Sequence, residues 1–180
     1  MKIVQPRRGD WMQTAGGRAF WPLDPRPNEI DIEEIAHALG MLCRYGGHCL
    51  RFYSVAEHSV LLSRAAPKPH KKWALLHDAS EAFLHDLVRP VKRSVTGYAE
   101  LEADVMRAVC VRFKLHLDMP SIIKLLDRRL LADEQIQNMA PAPMPWSDMA
   151  EPLGMTLQFW SPERAKREFL DEFERLGGLS

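Results

Sequence analysis

Residues 54–62 read SVAEHSVLL and residues 73–83 read WALLHDASEAF, and these two stretches decide the fold. In both of them, apolar residues recur every three or four positions, which is the spacing that places them on one face of a helix. Ser54 and Glu57 fit a capping box, in which the two side chains satisfy each other's backbone amides at the start of a helix. The pattern therefore predicts one helix that begins at Ser54 and another that contains the second stretch.

The same periodicity extends through most of the chain on both sides of these stretches. Helices are predicted from Asp31 to Gly46, and over roughly 54–66, 70–84, 96–115, 120–139 and 161–176. Residues 11–14 and 18–21 flank Ala15-Gly16-Gly17, a pattern typical of a short β-hairpin. Asp86 to Arg93, which contains Pro90, is predicted to be a loop. The predicted fold class is all-α, a bundle of about six helices with a small N-terminal β-hairpin.

Length and composition favour a single domain without a strong charge. The chain has 180 residues, of which 46% are hydrophobic, enough for one sizeable core. We expect a ribbon and connector over 1–30, a helical core over 31–139, and a C-terminal extension with the last helix over 140–180. Lys and Arg number 24 and Asp and Glu number 24, so no global field would draw the protein onto nucleic acid or a membrane. Any phosphate recognition must be local.

The cysteines and the N-terminus indicate a cytoplasmic protein. Cys43, Cys49 and Cys110 are odd in number and contain no C-x-x-C pair, which argues against a disulfide framework and a cysteine zinc site. The N-terminal MKIVQPRRGDW has no apolar run typical of a signal peptide, and charges interrupt every apolar stretch before it could cross a membrane.

Four ionisable side chains lie in predicted helices among apolar residues: His58, His77, Asp78 and Asp127. Such groups are tolerated in a core only when they are paired or coordinated. Imidazole mixed with carboxylate suits Mn, Co, Zn, Fe or Ni, and Mg remains open. The alternative is that the histidines are hydrogen-bonded core residues and the aspartates are caps or surface residues. Neither aspartate is at a predicted helix terminus, which favours the metal.

Three stretches resemble the ordered H…HD…D signature of the HD superfamily of phosphohydrolases: SVAEHS at 54–59, LLHDASEAFLHDLVRPVK at 75–92 and LLDRRLLADE at 125–134. The match extends from about Asp31 to Met139. The RYGG…FYSVAEHS stretch is similar to the branch that contains bacterial 5′-deoxynucleotidases and phage dATP triphosphohydrolases. The resemblance implies an HD-type helical bundle that assembles as a homo-oligomer, either a dimer or a hexamer.

The resemblance also implies catalytic roles around the four metal ligands. Glu81 and Asp86 match positions that assist the attacking water or the leaving group. The spacing supports this for Glu81, which follows Asp78 and His77 by about one helical turn. The alternatives are an exposed helix residue for Glu81 and a turn cap for Asp86. A second Mg²⁺ could arrive with the substrate phosphates.

Five further residues match substrate contacts in the resembling branch. Arg44, Lys92 and Lys124 match phosphate contacts, because a desolvated phosphate needs cations. Tyr45 matches the aromatic residue on which the base stacks, and Pro90 the pocket wall. The alternatives are ordinary ones, since a single Lys or Arg is usually solvated and a tyrosine beside a core helix is usually packed.

The expected activity is metal-dependent hydrolysis of a small deoxynucleotide at the phosphorus nearest the sugar. Lys92 and Lys124 favour a dNTP substrate such as dATP, which would give deoxynucleoside and triphosphate. The alternatives are a 5′-deoxynucleotidase that acts on dNMPs, an alarmone hydrolase, and a non-catalytic HD module that senses nucleotides.

Overall fold

The computed structural model describes residues 6–147 and 150–179. A short antiparallel hairpin lies near the N-terminus, where β1 (Met12–Gln13) pairs with β2 (Ala19–Phe20). Phe20 is buried and its ring stacks on that of Phe83, with the centroids 4.0 Å apart. The predicted hairpin is therefore confirmed, and it is anchored on the helical core.

Helices make up most of the rest of the described chain. They are α1 (Ile32–Met41), α2 (Val55–Ala65), α3 (Lys71–Leu76), α4 (Glu81–Leu84), α5 (Arg89–Lys92), α6 (Tyr98–Phe113), α7 (Ser121–Asn138) and α8 (Pro162–Arg175). Three short 3-10 turns lie between them, at Pro27–Glu29, Arg44–Gly47 and Lys68–His70. The predicted all-α fold with an N-terminal hairpin is confirmed. None of the helices described is long and apolar enough to cross a membrane.

The long helices start where the sequence predicts, and three boundary details differ. Ser54 caps α2, because its hydroxyl accepts the Glu57 amide at 3.1 Å. The carboxylate of Glu57 does not complete the capping box and instead accepts backbone amides of residues 158–160. α1 ends at Met41, before the predicted glycines, and Pro120 precedes α7 as its N-cap.

The sequence predicts one helix over 70–84, but the structure divides it into α3 and α4. The imidazole Nδ1 of His77 lies 2.8 Å from the carbonyl oxygen of Ala74, which is the acceptor that the Asp78 amide would use in a continuous helix. Short-range backbone bonds follow instead, such as Glu81 N to Asp78 O at 3.0 Å. His77 and Asp78 therefore lie in a turn between helices and not mid-helix.

The predicted loop over 86–93 contains the one-turn helix α5. Pro90 is tolerated there because it occupies the first turn, where its missing amide hydrogen has no intrahelical partner to lose. With α4 and α5 counted separately, the six predicted helices become eight among the described residues.

The C-terminal helix belongs to the same core as the first helices. α8 packs against both α1 and α2, and a side chain at Gly40 would meet the carbonyl oxygen of Pro162 at 2.9 Å. The segment before α8 is also held against α7, because the Asp133 carboxylate accepts hydrogen bonds from the backbone amides of residues 153–155. These contacts fix α2 and α7, the two helices that carry part of the candidate site.

Candidate metal centre

The four predicted ligands converge at one point between α2, the turn after α3, and α7. The Nε2 atom of His58 lies 3.3 Å from Nε2 of His77 and 3.3 Å from Oδ1 of Asp127. Oδ2 of Asp78 lies 3.1 Å from His77 Nε2 and 3.8 Å from His58 Nε2. Ligand atoms around one divalent ion, each about 2.1 Å from it, lie roughly 3–4 Å apart. The group His58, His77 and Asp127 could hold a metal ion, and Asp78 adjoins it.

The hydrogen bonds behind the two imidazoles support the same interpretation. His77 Nδ1 must carry a proton, because its partner is the carbonyl of Ala74. His58 Nδ1 lies 2.6 Å from Oε1 of the buried Glu134, and Arg44 and His58 overcome burial to lower the pKa of that carboxyl to about 2. Both rings are thereby oriented with Nε2 toward the cluster, as outer hydrogen bonds orient metal-ligating histidines.

The two carboxylates of the cluster are held ionised by the cationic groups around them. Burial opposes ionisation of Asp78, but His77 and His58 hold its pKa well below the usual range. The pKa of Asp127 is lowered to about 2, against the effect of burial, by its contact with His58. Burial and Arg44 would lower the pKa of His58, yet Glu134 and Asp127 raise it to about 9. The proton on His58 and the guanidinium of Arg44, 3.6 Å from Asp78, therefore both offset the charge of the carboxylates.

The cluster opens to solvent on its carboxylate side. The side chains of Asp78 and Asp127 are 21% and 24% exposed, whereas those of His58 and His77 are 0% and 4% exposed. A ligand would therefore approach along the two carboxylates, with the imidazoles behind them.

Glu134 belongs to the site but was not singled out by the sequence reasoning. It follows Asp127 by seven residues on α7, which is two helical turns and the same face. Its buried carboxylate contacts His58 Nδ1, lies 3.2 Å from Arg44 Nε and accepts the hydroxyl of Tyr45. The spacing of seven residues from a candidate ligand was the signal that could have found it.

Arg44 and Tyr45 lie beside the metal cluster. Nη1 of Arg44 is 3.6 Å from Oδ2 of Asp78, and its Nε pairs with Glu134, so one cation links an expected ligand to the residue behind His58. Tyr45 has a left-handed backbone with φ of 60°, and Gly46 continues it with φ of 59°. This sharp turn brings both side chains toward Glu134.

Glu81 is buried beside the cluster, which excludes an exposed helix position. It is the first residue of α4 and is 7% exposed. Its Oε2 atom is buried without a hydrogen-bond partner among the described residues. Burial, Asp78 and Asp86 together raise the pKa of Glu81 well above its usual range. Asp86 is half-buried and its charge acts on both Glu81 and Arg44, so it lies near the site.

The remaining predicted substrate contacts, Lys92, Lys124 and Pro90, differ in their surroundings and exposure. Lys92 is within the electrostatic influence of Glu81 and Asp78, but its ammonium group is paired with Glu102 of α6. Lys124 is exposed on α7 and Pro90 is exposed on α5.

Arg89 also lies at the site, although no pattern in the sequence distinguishes it from the other basic residues. Its Nη2 atom lies 3.5 Å from Oδ2 of Asp127, and its side chain is 49% exposed. It adds a half-exposed cation on the open side of the cluster. Sequence alone misses it because the one-turn helix α5 that positions it has no periodic pattern.

The fold and the site define a helical protein with a buried histidine and aspartate cluster suited to a divalent metal. No family model matches the chain. It is 34% identical to the uncharacterized protein YfdR of Escherichia coli over 125 residues, which cover 69% of this chain and 70% of YfdR. It is 42% identical over 124 residues to an uncharacterized protein of Rhodobacter capsulatus, a match that spans 63% of each chain. The chain belongs to the same family as YfdR.

Proposed function

We propose that this protein is a metal-dependent phosphohydrolase of the HD type that cleaves a deoxynucleotide at the phosphorus nearest the sugar. The observation that carries the proposal is the convergence of two imidazole Nε2 atoms on two carboxylates, with the buried carboxyl of Glu81 beside them. A purely structural network would leave the unpaired Oε2 of Glu81 unexplained.

His58, His77, Asp78 and Asp127 would hold the ion, which is Mn, Co, Zn, Fe, Ni or Mg. When bound, such an ion polarises phosphoryl oxygens and lowers the pKa of a water ligand, which supplies a nucleophile near neutral pH. Glu134 and the Ala74 carbonyl keep the two imidazoles in the required tautomer.

Glu81 is suited to hold and transfer a proton. Burial, Asp78 and Asp86 raise the pKa of its carboxyl group well above the usual range, which favours the protonated form that would donate to the leaving oxygen of the sugar. Asp86 contributes to that raised pKa and therefore assists Glu81. Asp78 contributes as well, so proton transfer at Glu81 is coupled to the charge of the ligand cluster.

The cations on the open side would bind the substrate phosphates. Arg44 and Arg89 each lie within 4 Å of a ligand carboxylate, at 3.6 Å and 3.5 Å, so a phosphate that enters the centre would meet both. Tyr45 lies next to Arg44 and its ring is 6.0 Å from that of Trp146, which together offer an aromatic surface for the base.

The first candidate substrate is a dNTP such as dATP, which would give deoxynucleoside and triphosphate. Lys92 supports the dNTP, because its charge interacts with those of Asp78 and Glu81 and its ammonium group could reach a phosphate beyond the first. The second candidate is a dNMP, and two observations favour it: Lys92 is already paired with Glu102, and Lys124 is exposed on the helix surface. We expect the enzyme to act in the cytoplasm as a homo-oligomer.

Product analysis tests the proposal. The purified protein is incubated with each dNTP and each dNMP in the presence of Mn²⁺, Co²⁺ or Mg²⁺, and the products are separated by chromatography. Deoxynucleoside with intact triphosphate identifies a triphosphohydrolase, and deoxynucleoside from monophosphates alone identifies a nucleotidase. An Asp127→Ala variant should be inactive. Asp118→Ala, which changes an exposed carboxylate outside the cluster, should retain full activity. Bound metal without turnover of either substrate would contradict the proposal and favour alarmones or a sensor.

A further inference from the structure

Two thiols lie close together beside the metal centre. The Sγ atoms of Cys43 and Cys49 are 3.6 Å apart, and both residues are half-buried and free. They bracket the turn Arg44–Gly47, whose first two residues, Arg44 and Tyr45, both contact Glu134. The third cysteine, Cys110, is buried in α6 and takes no part in this pair.

Backbone contacts fix both ends of this segment, so the pair is a built feature of the fold. On one side, Cys43 forms a β-bridge with Ser54, and the amide of Arg44 donates to the Tyr53 carbonyl at 2.9 Å. On the other side, the amide of Leu50 donates to the carbonyl of Asn138 at 2.9 Å. The two cysteines are therefore held between the start of α2 and the end of α7.

We propose that Cys43 and Cys49 are a redox modification site. A reversible disulfide between them restricts the motion of the segment that carries Arg44 and Tyr45. A disulfide needs the two sulfurs about 2.05 Å apart, so closure from 3.6 Å requires the two sulfurs to move closer together. The fold brings the thiols together without a disulfide framework elsewhere, and a half-exposed pair of this kind is typical of labile disulfides rather than structural ones.

A low-molecular-weight disulfide such as oxidised glutathione is the oxidant. The Cys43 thiolate attacks one glutathione sulfur, the glutathione disulfide bond breaks, and one reduced glutathione leaves with a proton. The Cys49 sulfur then attacks Cys43 of the mixed disulfide, gives up its proton and releases a second reduced glutathione. Two protein thiols are oxidised and one glutathione disulfide is reduced to two thiols. Burial and the neighbouring Cys43 raise the pKa of Cys49 to about 11, which makes Cys49 a poor first nucleophile, so its attack relies on the 3.6 Å proximity of the two sulfurs.

Closing the bridge restricts the turn between the two cysteines. In the reduced protein, this turn is held by side-chain contacts to Glu134 and by its end contacts. The disulfide adds a covalent link across a seven-residue loop, counted from Cys43 to Cys49 in the sequence. Opening motions of Arg44 and Tyr45 away from the metal centre should become rarer. This inference does not depend on the proposed function, because it can be measured without a substrate.

Peptide mapping by mass spectrometry tests the inference. The native full-length protein is incubated with oxidised glutathione, quenched with acid, alkylated under denaturing conditions and digested. A peptide linked through Cys43 and Cys49, lost after treatment with dithiothreitol, is expected, with Cys110 alkylated. A Cys110→Ser variant should retain the link, and Cys49→Ser should instead accumulate glutathione on Cys43. Absence of the link, or its formation to the same extent in urea-denatured protein, would overturn the inference.

Hydrogen exchange provides a second measurement, which also covers the case of a variant that folds poorly. Amides of residues 44–48 should exchange several-fold more slowly in the oxidised protein than in the reduced one, while those in the middle of α6 should not change. Equal exchange in both states would show that the bridge does not restrict the turn.

Discussion

The helix pair α2 and α7 and the segment 77–92 contribute to the same centre in different ways. The helix pair supplies His58, Asp127 and Glu134 from regular, tightly packed helices. The segment consists of a turn and two one-turn helices, and it supplies two ligands together with Glu81 and Arg89. Packed helices fix ligand geometry, whereas irregular backbone can present many different groups within a few residues. Under the proposed function, metal binding therefore needs both regions, proton transfer needs the segment, and phosphate binding needs Arg89 of the segment together with Arg44.

Removing one ligand from each region should give the largest effect. Asp127→Ala, from α7, and Asp78→Ala, from the segment, should each weaken metal binding by at least about 100-fold and abolish turnover. Metal content by elemental analysis and affinity by calorimetry are the measurements. If only one of the two variants lost its metal, the centre would belong to one region and the comparison would fail.

A change at Glu81 should separate chemistry from metal binding. Glu81→Ala should lower turnover by about 100-fold, because a positioned proton donor is lost, while metal affinity stays as in the wild type. Turnover is measured under saturating metal, and metal content is determined on the same sample. A Glu81→Ala protein that is purified without metal would contradict the assisting role and make this residue part of the ligand set.

Glu134→Gln tests the role of α7 behind the histidine. The amide keeps the size of the side chain but cannot fix the charge and tautomer of His58, so metal affinity should fall by roughly 10- to 100-fold. Thermal unfolding followed by circular dichroism checks that the helices remain intact. Glu100→Gln, a matched change at an exposed position of α6, should bind metal normally.

Metal affinity should rise with pH, because the ion competes with a proton on His58. The ordinary pKa of that imidazole is 6.5, and the metal-free fold raises it to about 9. Below about pH 9 the ion must displace one proton from His58, so affinity should increase about tenfold per pH unit and level off above that value. Calorimetry in buffers with different ionisation enthalpies counts the proton released. Affinity that is independent of pH would mean that His58 is not a ligand.

The smallest effect is expected at Lys92, at the end of the segment. Lys92→Ala should lower turnover of a dNTP by several-fold and that of a dNMP less, because only the longer substrate carries phosphates beyond the first. The rates for both substrates are compared at equal metal saturation. Equal losses would remove the reason for preferring the triphosphate.

The sequence predicts the helix pair well and the segment 77–92 poorly, for a physical reason. α2 and α7 have long apolar periodicity and recognisable starts, so the positions of His58 and Asp127 follow from pattern alone. The break between α3 and α4 depends on the hydrogen bond from His77 to Ala74, which leaves the apolar spacing unchanged. Periodicity cannot detect a break of that kind.

The sequence likewise predicts poorly those site residues whose role depends on contacts with other side chains. The four predicted ligands are recognisable in the sequence as ionisable residues in apolar surroundings. Glu134 has the same surroundings, but its role depends on contacts with His58 and Arg44 from distant parts of the chain. Arg89 depends on the placement of a one-turn helix. The contact of Arg89 therefore has no signature in the sequence, and that of Glu134 is indicated only by its spacing of seven residues from Asp127.

The carboxylate of Glu57 has a consequence for the integrity of the protein. It accepts the amides of Gln158, Phe159 and Trp160 at 2.6–2.9 Å, and it is directly adjacent to the ligand His58 on α2. A chain cleaved by a protease before residue 158 would leave a buried carboxylate without its three donors, next to the histidine and aspartate cluster. If the cluster holds a metal as proposed, damage to the C-terminal segment should therefore weaken metal binding and activity together, so that a truncated copy would not persist as a half-active form.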